Sequence, residues 1–132
     1  PAFVAERLLD ELDAVGTSPE DATVAVLGLT YRPGVAEVRA TPATPLAARL
    51  EDAGATVLGV DPLVDHVPGF PHEVLDPLEL PDSDIEGAVL VTDHDEFDDL
   101  DWGAFERLAV VDGRQALDLA DTDHRVYTIG GG

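Results

Sequence analysis

The chain of 132 residues suits a single domain, and because it has no cysteine it excludes disulfides, thiolate metal sites and cysteine nucleophiles. Its 28 acidic residues stand against 7 basic ones, all arginine, so the formal net charge is -21 and no basic patch is available for nucleic acid. Acids spread along a chain without lysine indicate adaptation to very high salt; an acidic surface that mimics nucleic acid or captures cations is the alternative. No apolar run approaches the ~20 residues that span a bilayer, which predicts a cytoplasmic protein without a membrane partner.

The N-terminal part predicts a helix followed by a buried strand. Apolar residues recur at helical spacing over residues 2–15, with acids on the opposite face, and Gly16 ends this amphipathic helix. Residues 23–29, TVAVLGL, are continuously apolar after the first. A strand without polar alternation is covered on both faces, which is typical of a parallel sheet.

A second helix and strand complete a βαβ unit. The helix is expected over residues 42–53, with Thr41 as N-cap, Pro42 in the first position and Gly54 as the stop. Residues 55–62, ATVLGVDP, predict the next buried strand. The crossover of such a unit should be right-handed.

The middle of the chain gives weaker signals. Residues 63–86 are rich in Pro and Asp and predict only short extended pieces near Val74 and Leu78. A third strand is expected over residues 87–93, followed by a short acidic helical stretch over residues 94–108.

The C-terminal part predicts two further strands. Residues 109–112 form the fourth strand, residues 113–119 a turn with a short helix, and residues 125–130 the last strand. The expected fold is therefore a single α/β domain with a doubly wound, Rossmann-like and mostly parallel sheet of about five strands, preceded by an N-terminal helix.

Three of the seven arginines follow predicted strands. Arg32 and Arg39 flank the loop after the first strand, and Arg114 follows the fourth. Open parallel sheets bind ligands beyond the carboxyl ends of their strands, and the planar guanidinium suits phosphate and carboxylate. Together these arginines predict an anion site, whereas any one of them alone could pair with a surface acid.

The loop after the first strand lacks the glycine pattern of known nucleotide loops. It contains Gly28 and Gly34 but neither GxGxxG nor GK[ST], so we expect neither a dinucleotide loop nor a P-loop from this segment alone. Asp61 ends the second strand, where dinucleotide folds keep a ribose-binding acid. Without the glycine loop, we expect Asp61 to cap a turn before Pro62.

The four histidines give no clear metal or catalytic pattern. They are His66, His72, His94 and His124. His94 stands among acids in TDHDEF, but consecutive side chains diverge and neither HxH nor HExxH spacing occurs, so no metal site is expected. An acid–base role of His94 lacks a matched nucleophile, and we expect no catalytic residue in this chain.

Residues 24–62, VAVLGLTYRPGVAEVRATPATPLAARLEDAGATVLGVDP, resemble the opening of the C-terminal, UDP-binding domain of the UDP-glucose/GDP-mannose dehydrogenase family. The family pattern is approximately GLAFKxxTDDxRxSP, then a helix and a strand that ends in DP. The later stretches VLVTDHDEF, VVDGRQAL and YTIG match in type and order. The resemblance implies a piece of an enzyme that oxidises the primary alcohol of a nucleotide-sugar to a carboxylate in two NAD-dependent steps, with the NAD domain and the catalytic cysteine in the preceding part.

The same resemblance implies roles for four residues. Tyr31 and Arg32 stand where the pattern has the Phe and Lys of the substrate-binding segment, and Arg114 matches an Arg that reaches the substrate of the neighbouring subunit. Arg39 matches the Arg that approaches the pyrophosphate of NAD. Arg in place of Lys at position 32 keeps the charge but changes the geometry, and VAE replaces the usual TDD at residues 35–37.

The resemblance also implies the domain boundaries and the partners. Residues 1–16 correspond to the end of the central linker helix, and residues 17–132 to the UDP-sugar-binding domain. The implied partners are a UDP-sugar, the missing N-terminal domain, which holds most of the NAD, and a second copy in a homodimer of the full enzyme, whose product serves polysaccharide biosynthesis. A stand-alone acidic, Rossmann-like interaction module that has lost its ligand is the other hypothesis.

Overall fold

The computed structural model describes residues 2–30, 34 and 41–129, which form one parallel sheet of six strands with two α-helices. The helices are α1 (Ala2–Ala14) and α2 (Ala43–Asp52). The strands are β1 (Thr23–Leu27), β2 (Thr56–Val60), β3 (Val74–Leu75), β4 (Gly87–Leu90), β5 (Ala109–Asp112) and β6 (Arg125–Thr128). None of the helices within the described ranges is long and apolar enough to cross a membrane.

The strands lie in the order β3-β2-β1-β4-β5-β6, and all neighbouring pairs are parallel. The order reverses between β1 and β4, and open α/β sheets bind ligands in the crevice at such a reversal. Leu27 pairs with Val60 on one side and Leu90 on the other, so β1, β2 and β4 end at the same level. The Rossmann-like parallel sheet expected from the sequence is confirmed, with six strands instead of about five.

The two faces of the sheet are covered by different kinds of structure. α1 and α2 pack on one face, where Leu8 contributes to a core with Val24 and Val26 of β1. The alternate residues Ala25 and Leu27 belong to a second core, on the side covered by short 3-10 turns and loops. β1 is thus buried on both faces, as its apolar run predicts.

The end of α1 is set by Gly16, as predicted. Gly16 has φ +84, in the left-handed region that favours glycine. The N–H of Gly16 donates to the carbonyl of Asp13, and the N–H of Thr17 donates to the carbonyl of Leu12. These bonds satisfy carbonyls of the last turn, so the helix ends here and the chain continues toward β1.

α2 begins one residue later than the prediction of residues 42–53. Pro42 occupies the N-cap position instead of the first helical position. The hydroxyl of Thr41 nevertheless accepts the N–H of Ala43 at 3.3 Å, so it does satisfy an amide at this helix start. Gly54 follows the helix with φ +107, as its role as stop requires.

Three predictions were wrong in the region between β2 and β6. The piece near Leu78 is a 3-10 turn, Pro77–Asp82, because the side chains of Asp76 and Glu79 cap it reciprocally. The acidic stretch of residues 94–108 forms two separate 3-10 turns and no α-helix. Residues 113–119 form a turn without a helix.

The separation of the two 3-10 turns has a local cause. The second turn begins at Trp102, which is followed by Gly103, a poor helix former. The indole Nε1–H of Trp102 donates to the carbonyl of Phe97 at 3.0 Å, which folds the chain back on itself instead of extending a helix. The backbone of this stretch is therefore fixed by side-chain bonds.

Candidate functional site

The segment after β1 crosses the segment after β4 at very short distance, and Gly28 makes this crossing possible. Gly28 has φ +95, and a Cβ built there would lie 2.6 Å from both the backbone nitrogen and the Cβ of Thr92. Its N–H donates to the carbonyl of Val60 at 2.8 Å, which extends the pairing of β1 and β2 by one residue. The position therefore admits only glycine, and the space beside its Cα is filled by Thr92.

Asp61, directly after β2, is a buried carboxylate that ties two loops together. One oxygen, Oδ1, accepts the N–H groups of Leu63 at 2.8 Å and Val64 at 3.3 Å, so Asp61 caps the turn at Pro62 as expected. The other, Oδ2, accepts the N–H of Leu29 at 2.8 Å. A buried carboxylate with such bonds is well satisfied, and this one fixes the chain after β1 against the chain after β2.

His94 lies beside Asp61 and is also buried, with 1% of its surface exposed. Its Nε2 is 2.8 Å from Oγ1 of Thr30 and 3.3 Å from Oδ2 of Asp61. Its Nδ1 accepts the N–H of Gly34 at 3.2 Å. Because a backbone N–H can only donate, Nδ1 carries no proton, and the neutral ring has its proton on Nε2.

A further bond closes this group of polar residues. The hydroxyl of Thr92 donates to the carbonyl of Thr30 at 2.6 Å. We call Thr30, Asp61, Thr92 and His94 the edge cluster; it joins the ends of β1, β2 and β4 at the point where the strand order reverses. Within the described residues no group of three or more His, Cys, Asp or Glu side chains is arranged to hold a metal ion.

Arg114 is exposed beyond the end of β5, at the same edge of the sheet. The buried carboxylate of Asp112 accepts the N–H of Arg114 at 3.0 Å and also those of Ala116 and Leu117, so it shapes the turn that presents the arginine. No acidic side chain of the described ranges lies within ion-pair distance of the guanidinium. The arginine also borders a mainly apolar pocket of about 210 Å³.

Acidic residues cluster around Asp98, in the segment between β4 and β5. Partial burial raises the pKa of the Asp98 carboxyl, and the negative charges of Asp93, Asp95, Asp99 and Asp112 raise it further. An anion that binds at this edge therefore needs the positive charge of arginine to offset the surrounding carboxylates.

The remaining predicted site residues, Tyr31, Arg32 and Arg39, lie outside the described residues. The structure does describe Thr30 and Gly34, which flank residues 31–33 in the sequence, and both contact His94. The sequence draws attention to His94 and Asp61 but does not predict that they meet. The hydroxyls of Thr30 and Thr92 were missed, although polar residues directly after apolar strands are a usable signal.

Residues 25–119 match the sequence model described as the UDP binding domain of the UDP-glucose/GDP-mannose dehydrogenase family. The chain is similar to the UDP-N-acetyl-D-mannosamine dehydrogenase of Pyrococcus horikoshii, with 30% identity over 124 residues that cover 89% of this chain and 27% of the relative. It is also similar to the UDP-glucose 6-dehydrogenase AglM of Haloferax volcanii, with 36% identity over 102 residues that cover 71% of this chain and 23% of the relative.

Solved structures agree with this assignment. The UDP-D-ManNAc dehydrogenase of Pyrococcus horikoshii superimposes with a TM-score of 0.78 and 28% identity, over 98% of this chain and 30% of that one. The NDP-N-acetyl-D-galactosaminuronic acid dehydrogenase of Methanosarcina mazei shares the fold, with a TM-score of 0.82 over 98% of this chain and 29% of that one. The chain spans less than a third of the length of these proteins. It belongs to the UDP-glucose/GDP-mannose dehydrogenase family, of which it represents the UDP binding domain.

Proposed function

We propose that the chain binds a UDP-sugar at the carboxyl edge of its sheet, as one domain of an NAD-dependent dehydrogenase that oxidises the primary alcohol of the sugar to a carboxylate. The observation that carries the proposal is the match of residues 25–119 to a UDP binding domain, and the position of Arg114 supports an anion at this edge. Arg114 is an exposed arginine without an acidic partner in the described ranges, and it lies at the carboxyl edge after β5, the neighbour of β4. In a chain with a net charge of -21, a guanidinium that no described acidic side chain pairs with is best explained at that place by an anionic ligand.

The roles of the other arginines follow from the family motif. Tyr31 and Arg32 belong to the substrate-binding segment, and Arg32 reaches the nucleotide-sugar. Arg39 approaches the pyrophosphate of NAD, and Arg114 reaches the nucleotide-sugar held by the neighbouring subunit of a homodimer. A charge-assisted hydrogen bond contributes roughly 1.5 to 3 kcal/mol, so loss of one such contact weakens binding by about ten- to hundredfold.

NAD does not fit the turn after β1 in this domain. Dinucleotide folds use a glycine there so that the backbone can approach the pyrophosphate. Here the space beside Gly28 is filled by Thr92, and the GxGxxG pattern is absent. We therefore assign the NAD site mainly to an N-terminal domain of the full enzyme, with Arg39 as the contribution of this chain.

We further propose that residues 1–16 are the end of the helix that links the two domains and that residues 17–132 form the binding domain. Leu8 and Leu12 are fully buried, and Glu11 pairs with Arg125 at 2.7 Å, which supports a helix fixed rigidly to the sheet. The acidic, lysine-free composition supports an enzyme that works in a salt-rich cytoplasm. A role in polysaccharide biosynthesis belongs to the same proposal.

The test is a calorimetric titration of the chain with UDP and UDP-glucose in molar KCl. Arg32→Ala is compared with Arg107→Ala, which removes the same charge from the opposite edge of the sheet, where Arg107 precedes β5 and its Nε–H donates to the carbonyl of Asp123. We expect Arg32→Ala to lower the affinity about ten- to hundredfold and Arg107→Ala to leave it unchanged. Absence of UDP binding would favour the ligand-free interaction module, and equal losses for both variants would show that Arg32 has no specific part in binding UDP.

Arg114→Ala separates binding within a chain from binding across a dimer. If the arginine serves the neighbouring subunit, its loss weakens UDP binding only at protein concentrations at which light scattering detects dimers. Equal losses across the whole dilution series would show that Arg114 acts within its own chain.

A further inference from the structure

We propose that His94 is a positioning residue that holds Thr30 and Gly34, the two ends of the substrate-binding segment, at the edge of the sheet. The proposal rests on the proposed function of that segment. It starts from one observation: the two ends of the segment bond to the same imidazole ring, Thr30 at Nε2 and Gly34 at Nδ1.

The two contacts are effective because Thr30 and Gly34 are close in the sequence. Arg32 is two residues from Thr30 and two residues from Gly34, and two residues of chain span at most ~7 Å. Because Thr30 and Gly34 bond to the same ring, an imidazole with a fixed orientation fixes both residues at once. Fixed ends of this kind lower the entropy that a binding segment loses when it takes up a ligand.

Contacts with Asp61 and Phe97 fix the orientation of the imidazole ring. Oδ2 of Asp61 is 3.3 Å from Nε2 and is fixed in turn by the N–H of Leu29. The ring of Phe97 meets the imidazole edge to face, with 5.8 Å between the ring centroids. His94 therefore has one orientation, in which Nδ1 accepts the N–H of Gly34.

His124 shows what a purely structural histidine looks like in this fold. It is buried, its Nδ1 accepts the N–H of Leu108 at 2.9 Å, and its Nε2 donates to the carbonyl of Trp102 at 2.7 Å. Both partners precede β5, at the edge of the sheet opposite to Arg114. The two histidines have the same tautomer and similar burial, so they differ mainly in the segment that they hold.

Two substitutions of His94 separate its two nitrogens. The amide of Asn is short, so in His94→Asn its oxygen replaces Nδ1 and retains the bond to Gly34. The longer Gln places its amide near Nε2, so His94→Gln retains the contacts to Thr30 and Asp61 but loses Gly34. We expect the Gly34 amide to exchange hydrogen two- to tenfold faster in His94→Gln and at the wild-type rate in His94→Asn, the range for one net hydrogen bond.

UDP affinity should fall in His94→Gln, where the Gly34 amide exchanges faster. It should stay at the wild-type value in His94→Asn, where the bond to Gly34 is retained. His124→Gln is the control: it should lower the unfolding midpoint without changing the exchange of the Gly34 amide. Equal behaviour of the Gln and Asn variants, or an unchanged UDP affinity when Gly34 is released, would overturn the positioning role. Failure of the unmodified chain to bind UDP would refute the proposed function. The exchange rates would still test whether His94 holds Gly34.

A measurement on the unmodified chain covers the case in which a variant does not fold. Gly69 is an exposed glycine whose amide has no acceptor within the described ranges, and it has a φ of +82, similar to the +73 of Gly34. Relative to their intrinsic rates, the Gly34 amide should exchange at least twofold more slowly than the Gly69 amide. Equal rates would show that His94 does not hold the segment.

Discussion

Gly28→Ala is expected to be the most damaging small substitution at the carboxyl edge. The added Cβ would lie 2.6 Å from the backbone nitrogen and Cβ of Thr92, and φ is +95. A side chain in left-handed backbone costs roughly 1 to 2 kcal/mol, and overpacking a tight site costs about 1 to 3 kcal/mol more. We therefore expect a loss of about 2 to 5 kcal/mol in the free energy of unfolding, a large share of the 5 to 15 kcal/mol typical of a domain.

The matched control is Gly16→Ala. Gly16 has φ +84, but nothing lies within 4 Å of a Cβ built there, so only the backbone term of roughly 1 to 2 kcal/mol applies. Urea unfolding followed by circular dichroism, at one fixed KCl concentration, measures both variants, and unchanged m-values confirm that the midpoints report stability. Losses that agree within about 0.5 kcal/mol would refute the conclusion that Thr92 fills the space beside Gly28.

Three further predictions concern charge. With a net charge of -21, the chain should melt at a higher temperature as KCl rises from 0.1 to 3 M, and an unchanged melting temperature would rule out salt adaptation. The pKa of Asp98 is raised above 3.8 by burial and then by Asp93 and its neighbours, so the folded chain holds this proton more tightly than the unfolded chain. Stability should therefore fall as pH rises through that raised pKa, and Asp98→Asn should raise the melting temperature at pH 7 more than Asp10→Asn on the exposed surface of α1 does. Arg39→Ala should leave UDP binding to this chain intact, because its proposed partner is NAD on another domain; calorimetric loss of UDP binding would contradict that division of roles.

The sequence could predict the strands that are buried on both faces. The apolar runs around Val24 and Val57 give the parallel sheet, and Gly16 and Gly54 mark the helix ends because left-handed backbone favours glycine. The turn at Leu78 was missed although Asp76 and Glu79 have the spacing of a capping box, a local signal that could have been used.

The edge cluster could not be predicted from local patterns. His94 and Asp61 are 33 positions apart, and Thr30 is 64 positions from His94. They meet only because β1 lies between β2 and β4 and the three strands end at the same level. Strand order and register are tertiary properties, so the sequence could place Arg114 after β5, at the carboxyl edge, but could not predict what holds the loops there.

Backbone NMR during a titration with UDP in molar KCl tests the central claim most directly. If the nucleotide binds at the carboxyl edge, the amide signals of Leu29, Gly34 and Thr92 shift in a saturable manner, while those of Thr56 and Glu86 at the opposite edge stay in place. No shifts at millimolar UDP, or shifts confined to the opposite edge, would contradict a nucleotide site at this place in the fold.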